Sequence, residues 1–588
     1  MASEINPKSE AFDAHDGSPR YDEKQGTTEP IQTPKQSWAL RNGLTLESFK
    51  AHDDYGKGTV ELSRDMKPRH LNMIAIGGSI GAGFFVGSGG ALQTGGPGSL
   101  TIGFLIMGVM IFNVVYALGE LAVMYPVSGG FYTLVTLMVF LIDNTNRLIS
   151  YANRFVDPSW GFAMGWNYVM QWAFVLPLEL TVCGTVIQYW APDTSVAIWV
   201  SVFLAVIIIV NVFGTLGYAE EEFWAALLKL SATVIFMIVA VVLVCGGGPS
   251  NGIYDEYWGA RLWHNPGAFQ HGFRGFCGVF VTAAFSFSGT ELVGLAAAEA
   301  KNPAKALPGA IKQVFWRITL FYVVGLLLVG FLVSSTDERL LNAGNNNPSA
   351  SPFVIAASNA GLKGYDSFMN VIILVSVLSI GVSCVYGGSR TLVALSQQGY
   401  APKIFSFIDK SGRPLPAVVS IIAIGALGYI SVNGEGTTVF IWLQALSGLA
   451  ALFTWGSICL CHIRFRSAWK YHGHTLDEIP FQHVFGVWGS WIGLIIIVIV
   501  LIAQFYTAMT NIDGSLGTAE GFFQSYLAMP VVILFYIIGY VWKREGWRKI
   551  SEIDLDTGRR EHDWDTINAY REKLANGPAW KRVWHHLF

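Results

Sequence analysis

Two stretches of this 588-residue chain place glycine and serine inside long apolar runs. The first reads IAIGGSIGAGFFVGSGG (74–90) and the second FSFSGTELVGLAAAEA (285–300). Unwinding over Ser79, Ile80, Gly81, Ala82 and Gly83 would free backbone N–H groups at the start of a half-helix. Such an N-terminus carries about half a positive charge and holds an anion without a cationic side chain. A substrate carboxylate fits that description, and glycine lets a ligand come close to the backbone. A second break at Ser286, Phe287, Ser288 and Gly289 would expose carbonyls to an ammonium group, with Phe285 placed to cover the ligand. Together the two breaks would read the part that all α-amino acids share. The competing explanation is close helix packing through small residues. Two such spans, five spans apart, favour the breaks, because interrupted helices at matching positions mark the site of an inverted-repeat carrier.

Ionisable groups deep in a membrane are costly and are functional candidates by default. Glu291 follows the second break, Glu179 lies in VLPLELTV, and Lys229 lies in ALLKLSATV. A buried carboxylate can take up and release a proton near physiological pH. A buried lysine can do so from the other direction, or serve as a fixed charge. The alternatives are a snorkelling or salt-bridged Glu179 near an interface, a snorkelling Lys229, and a Glu291 that only braces the broken helix. Gln171 is a further pocket candidate. Glu120 and Glu299 fall near span ends and read as structural, while Glu220–Glu222 reads as a cap opposing the dipole of the fifth span. The sequence holds no GxSxG, HExxH or Walker A motif, which argues against a membrane enzyme or an ATP-driven pump. Six cysteines lie in or beside apolar runs without metal-ligand spacing, so neither a metal nor a cofactor is expected.

The elements that must hold these groups follow from composition. Hydrophobic residues make up 52% of the chain and charged residues 13%. That is about half the charged share of a soluble domain, so the expected class is an all-α membrane protein. Twelve apolar spans are read near 71–95, 99–124, 160–189, 194–213, 222–245, 275–299, 314–334, 367–395, 415–432, 438–460, 486–508 and 526–542. Most reach the roughly 20 residues needed to cross a bilayer. Residues 1–68 are polar and read as a disordered tail, 69–543 as the membrane domain, and 544–588 as a second tail with an amphipathic helix. The opening MASEINPKSE lacks the apolar core of a signal peptide, so the first span is expected to direct insertion. With the tails in the cytosol, cytosolic loops hold eleven Lys and Arg, and the opposite loops hold four: Arg261, Arg274, Arg339 and Lys363. The positive-inside rule therefore puts both termini in the cytosol. No basic patch suggests nucleic acid.

Five segments then resemble one family: RHLNMIAIGGSIGAGFFVGSGGAL, GELAVMYPVSGGFYT, FVDPSWGFAMGWNYVMQW, FSFSGTELVGLAAAEAKNPAKALPGAIKQVFWRI and SRTLVALSQQGYAPK. They are similar to the fungal amino acid permeases of the amino acid–polyamine–organocation superfamily, most of all to the general permease type. The resemblance implies a LeuT-type fold, with two inverted five-helix repeats and two further helices. It implies proton-coupled uptake of L-amino acids across the plasma membrane by alternating access. It would put carboxylate binding on Ser79 to Gly83, ligand cover on Phe285, and coupling roles on Glu179, Lys229 and Glu291. Gln171 and Trp172 would face the pocket. It also suggests ubiquitin ligase action on the tails, at Lys8, Lys24 and Lys35. The alternatives are an amino acid sensor, or a carrier of another amine or cationic solute. Two departures stand out. Val382 occupies a place where the family usually has Asn. Residues 134–150 also interrupt an otherwise direct connection, as a genuine loop or as a gene-model artefact.

Overall fold

The computed structural model describes residues 39, 43–52, 66–125, 150–299, 303–341, 351–433, 436–512, 514–557, 559–560, 564–576 and 578. Lys8, Lys24 and Lys35, and all of the 134–150 segment except Ser150, lie outside them. Among the described residues every regular element is a helix. Among the described residues nine helices are long and apolar enough to cross a membrane, and the bent pair Ala519–Tyr526 and Ala528–Lys543, taken as one span, makes ten. Val196–Val212 adds a shorter apolar helix. The first two spans are fused into one continuous stretch, but Gly96 at φ 79° turns the chain between them. Separating them there gives the expected twelve.

Proline and capping residues set the helix starts. Pro158 opens the third span (Pro158–Gln188), and the Asp157 side chain accepts the Trp160 N–H at 2.7 Å. Ser195 and Thr518 cap the fourth and twelfth spans in the same way. The fifth span begins at Gly214, which corrects the sequence reading: Glu220, Glu221 and Glu222 lie two turns inside the helix and do not cap it. The misreading arose because polar residues preceding an apolar run look like a helix start.

Burial separates an inner bundle from a lipid-facing shell. The apolar windows of the third and sixth spans are 83% buried, against 33% for the fifth and 28% for the eleventh. Ile238 and Val241 on the fifth span and Ile499 and Ile502 on the eleventh point outward, as hydrocarbon contacts should. The third span is the hub, packed against the eighth (Tyr365–Gln397), the tenth (Gly436–Tyr471) and the twelfth. Parts of both tails dock on one end of the bundle. Residues 43–52 pair with the loop after the eighth span, through His52 N–H to Ile408 O at 3.0 Å and Lys410 N–H to Lys50 O at 3.0 Å. The second tail crosses the same end: Arg560 N–H donates to Met124 O at 3.0 Å, Arg154 to Thr557 O at 2.7 Å, and Arg571 to Asp477 O at 2.7 Å. Glu120, read as structural, is fully buried there against Arg466, His462 and the His483 N–H.

Candidate functional site: a cavity between two broken helices

The first span consists of Pro68–Gly77, a break, and a wide turn over Gly83–Gly87 that leads into the next helix. The sixth consists of Gly272–Phe287 and Leu292–Ala298. Ser288 leaves helical geometry at ψ 139°, and Gly289 follows at φ 93°, where a side chain would be strained. Both interruptions fall where the glycine–serine pattern puts them. The two breaks also touch. A Cβ at Gly83 would stand 2.7 Å from Ser286 Cα, and one at Gly289 would stand 3.2 Å from Gly78 O. Only glycine permits this approach.

Beside the contact lies a small, partly open pocket. Ser79, Gly81, Ala82 and Gly83 line it from the first span, and Phe285 and Ser288 from the sixth. Trp172, Val175 and Glu179 line it from the third span, at helical spacing on one face, and Ile380 from the eighth. Glu179 is 2% exposed. Its carboxylate lies beside the Ala82 N–H, and its Oε2 has no partner among the described residues. The first break thus already holds a carboxylate at the start of its second half, although it comes from the protein. Trp172 Nε1 is likewise buried and unpartnered at the cavity wall.

The remaining candidates sit around this cavity. Ile80 is fully buried behind the first break. Gln171 donates to Ser288 Oγ at 2.9 Å and reaches Glu291 Oε1 at 3.4 Å. Glu291 also accepts from Trp455 Nε1 at 3.0 Å, so it joins the sixth span to the third and tenth. Ser286 Oγ is turned back to Thr282 O at 2.7 Å, and Phe287 stacks on Tyr322 with ring centres 4.3 Å apart. Lys229 is fully buried on the fifth span, 3.2 Å from Glu222 Oε1. Val382 is fully buried and is not part of the cavity lining.

Two residues of the seventh span went unread in the sequence. The Tyr322 hydroxyl lies 2.8 Å from Ser286 O, 3.1 Å from Ser79 O and 3.1 Å from Ser79 Oγ, so one group clasps both breaks. Arg317, fully buried, donates to Ala75 O and to Thr290 Oγ1, each at 2.6 Å. A lone arginine inside VFWRITLFYVV was the available signal.

Residues 70–552 match the family described as Amino acid permease. The chain is 64% identical to the amino-acid permease inda1 of Hypocrea atroviridis over 96% of both proteins. It is 47% identical to the general amino-acid permease GAP1 of Saccharomyces cerevisiae, over 89% of this chain and 85% of that protein. This chain belongs to the amino acid permease family. A third relative, the cationic amino acid transporter 1 of Schizosaccharomyces pombe, is 44% identical over 97% of this chain and 94% of that protein. The chain is therefore a multi-span membrane permease of amino acids, all-α among the described residues, with its first and sixth spans both broken.

Proposed function

We propose that this permease carries amino acids of broad range inward across the plasma membrane, driven by protons, with both termini in the cytosol. One observation carries the reading: the backbone N–H of Ala82, at the start of a half-helix lining the pocket, faces a carboxylate, that of Glu179. In transport, the substrate carboxylate takes the free end of this turn while Trp172 and Phe285 enclose the rest of the ligand. Ser79, Gly81, Gly83 and Ser288 supply the remaining polar and close contacts, and Gln171 fixes the position of Ser288.

Glu179 is the natural partner of the substrate in this scheme. It borders both the cavity and the first break, so binding of a second carboxylate there favours protonation of Glu179. Lys229 stands behind it as a fixed positive charge, and Glu291 braces the sixth break. The broken helices then swing against the third and eighth spans to open the opposite side. The lysines and arginines of the tail-side loops support placing that side in the cytosol. The range is the more open point, because one relative bears the name general permease and another cationic transporter. An acidic Glu179 in the cavity wall is compatible with a cationic side chain.

The test is uptake of a labelled amino acid in a permease-deficient fungal strain, with each of the common amino acids as competitor. Broad competition that collapses with a protonophore supports the proposal. Competition by lysine and arginine alone would narrow the range to cationic substrates. Uptake that survives the protonophore and requires sodium would reject proton coupling.

A further inference from the structure

The seventh span (Leu307–Leu332) carries a buried cation that the transport scheme leaves without a task. Arg317 is fully buried and lies outside the pocket lining. Its partners are neutral: Nη1 donates to Ala75 O and Nη2 to Thr290 Oγ1, each at 2.6 Å. Its Nε is buried without a partner among the described residues. Well-packed apolar side chains usually stabilise a core at least as well as a buried charge does. A cation kept at this depth therefore points to a role in function.

Both acceptors belong to the breaks. The inner half of the first span ends at Gly77, just beyond Ala75. In an unbroken helix the Ser79 N–H, four residues on, would take Ala75 O. Unwinding removes that donor, and the guanidinium supplies one in its place. On the sixth span, Thr290 follows Gly289 directly, and its hydroxyl donates to Phe287 O at 2.6 Å. With its one proton so committed, the hydroxyl meets Arg317 as an acceptor. The rigid planar fork of one arginine thus fixes the end of one inner half-helix against the start of the other.

The backbone of the seventh span is wound to suit this. Residues Ile318–Val324 form a wide turn, and Tyr322 lies five residues after Arg317. In an α-helix residues five apart diverge by about 140°. In a wide turn, closed by hydrogen bonds five residues long, they stack on one face. Arg317 and Tyr322 therefore reach the same two broken helices, Arg317 at Ala75 and Thr290, Tyr322 at Ser79 and Ser286. The first span is pinned at Ala75 and again at Ser79, with Gly77 and Gly78 between them. The residues that follow, Gly81, Ala82 and Gly83, form the edge of the pocket.

We propose that Arg317 is a positioning residue for substrate binding. It does not touch the amino acid. By holding Ala75 O it sets the angle at which the chain leaves the inner half-helix, and so the direction in which the N–H groups around Ala82 point. Thr290 anchors the second arm of the fork and steadies the sixth span. The effect falls on the carboxylate, the part common to all α-amino acids, so it is the same whatever the side chain. Residues of the pocket wall, such as Val175 and Ile380, meet the side chain and act unequally on different substrates.

This inference rests on the carboxylate reading of the first break, and one experiment separates their failures. The full-length permease is purified in detergent. Apparent Kd values are taken from ligand-induced shifts in Tm, for several transported amino acids of different side chain and for their α-amides. Amides that bind the wild type as well as the amino acids defeat the carboxylate reading, and the role of Arg317 falls with it. If the wild type prefers the amino acids, R317M is expected to raise every amino acid Kd by one common factor of about ten or more. R317K keeps the charge but serves one acceptor at a time, so its Kd values should rise about threefold. T290V leaves the Ala75 arm in place and should keep Kd within about twofold of wild type. The Tm without ligand reports folding separately. Wild-type Kd values in a folded R317M, or changes that differ from one side chain to another, would overturn the proposal. If R317M does not fold, R317K decides: wild-type Kd values there, or its own failure to fold, mark a purely structural role and overturn the proposal equally.

Discussion

The two broken helices solve the same problem in opposite ways. The first break is held from behind, through carbonyls: Arg317 takes Ala75 O, and Tyr322 takes Ser79 O. Its N–H side is left facing the pocket, beside Glu179. The sixth break is laced by side chains on both flanks, with Gln171 on Ser288, Gln171 and Trp455 on Glu291, and Arg317 on Thr290. The first is thus an open binding edge and the second a braced hinge, with Tyr322 and Arg317 each reaching both. Unwound backbone in a membrane survives only where its polar groups are satisfied or line a cavity, and each break uses one of those two routes.

The largest expected effect comes from forcing the breaks apart. Gly83→Val places a side chain where a Cβ already stands 2.7 Å from Ser286 Cα, whereas Gly90, on the same span, has nothing within 4 Å. Uptake by Gly83→Val, normalised to surface level, should fall on the order of 100-fold, while Gly90→Ala remains near wild type. Equal behaviour of the two would dissolve the contact between the breaks. Tyr322→Phe comes next. It removes the shared hydroxyl and leaves Ser286 O and Ser79 O without that partner, for a loss of about tenfold in transport rate. Thr290→Val strikes only the braced side. One guanidinium N–H of Arg317 loses its acceptor, at about 1–3 kcal/mol, and thermal stability in detergent should drop while substrate KM stays constant. Glu291→Gln should do least: a glutamine can still accept from Trp455, so uptake falls about two- to threefold with an unchanged pH profile. A flattened pH profile there would move Glu291 from brace to proton carrier.

Much of this was legible in the sequence because the bilayer imposes a strong rule. Twelve apolar spans announce themselves by length, and glycine with serine at mid-membrane marks where two of them fail to wind. Seven of the thirteen candidate residues line the cavity: Ser79, Gly81, Ala82, Gly83, Glu179, Phe285 and Ser288. What escaped has a common physical cause. Val175 and Ile380 line the cavity with side chains that read the same as any core residue. Tyr322 acts through its hydroxyl, invisible in an apolar run rich in aromatics. Glu222 was read as a cap because its partner, Lys229, lies two turns further along the helix and only the fold shows that both face Ser379.

The central claim is that the backbone of the first break grips a carboxylate. Competition against labelled amino acid uptake tests it most directly, with amino acids compared against their α-amides and their decarboxylated amines, all bearing the same side chain. The account predicts that the amino acids compete and that both derivatives, having lost the charged carboxylate, fail to do so. Amides or amines that compete as well as the parent amino acids would contradict it.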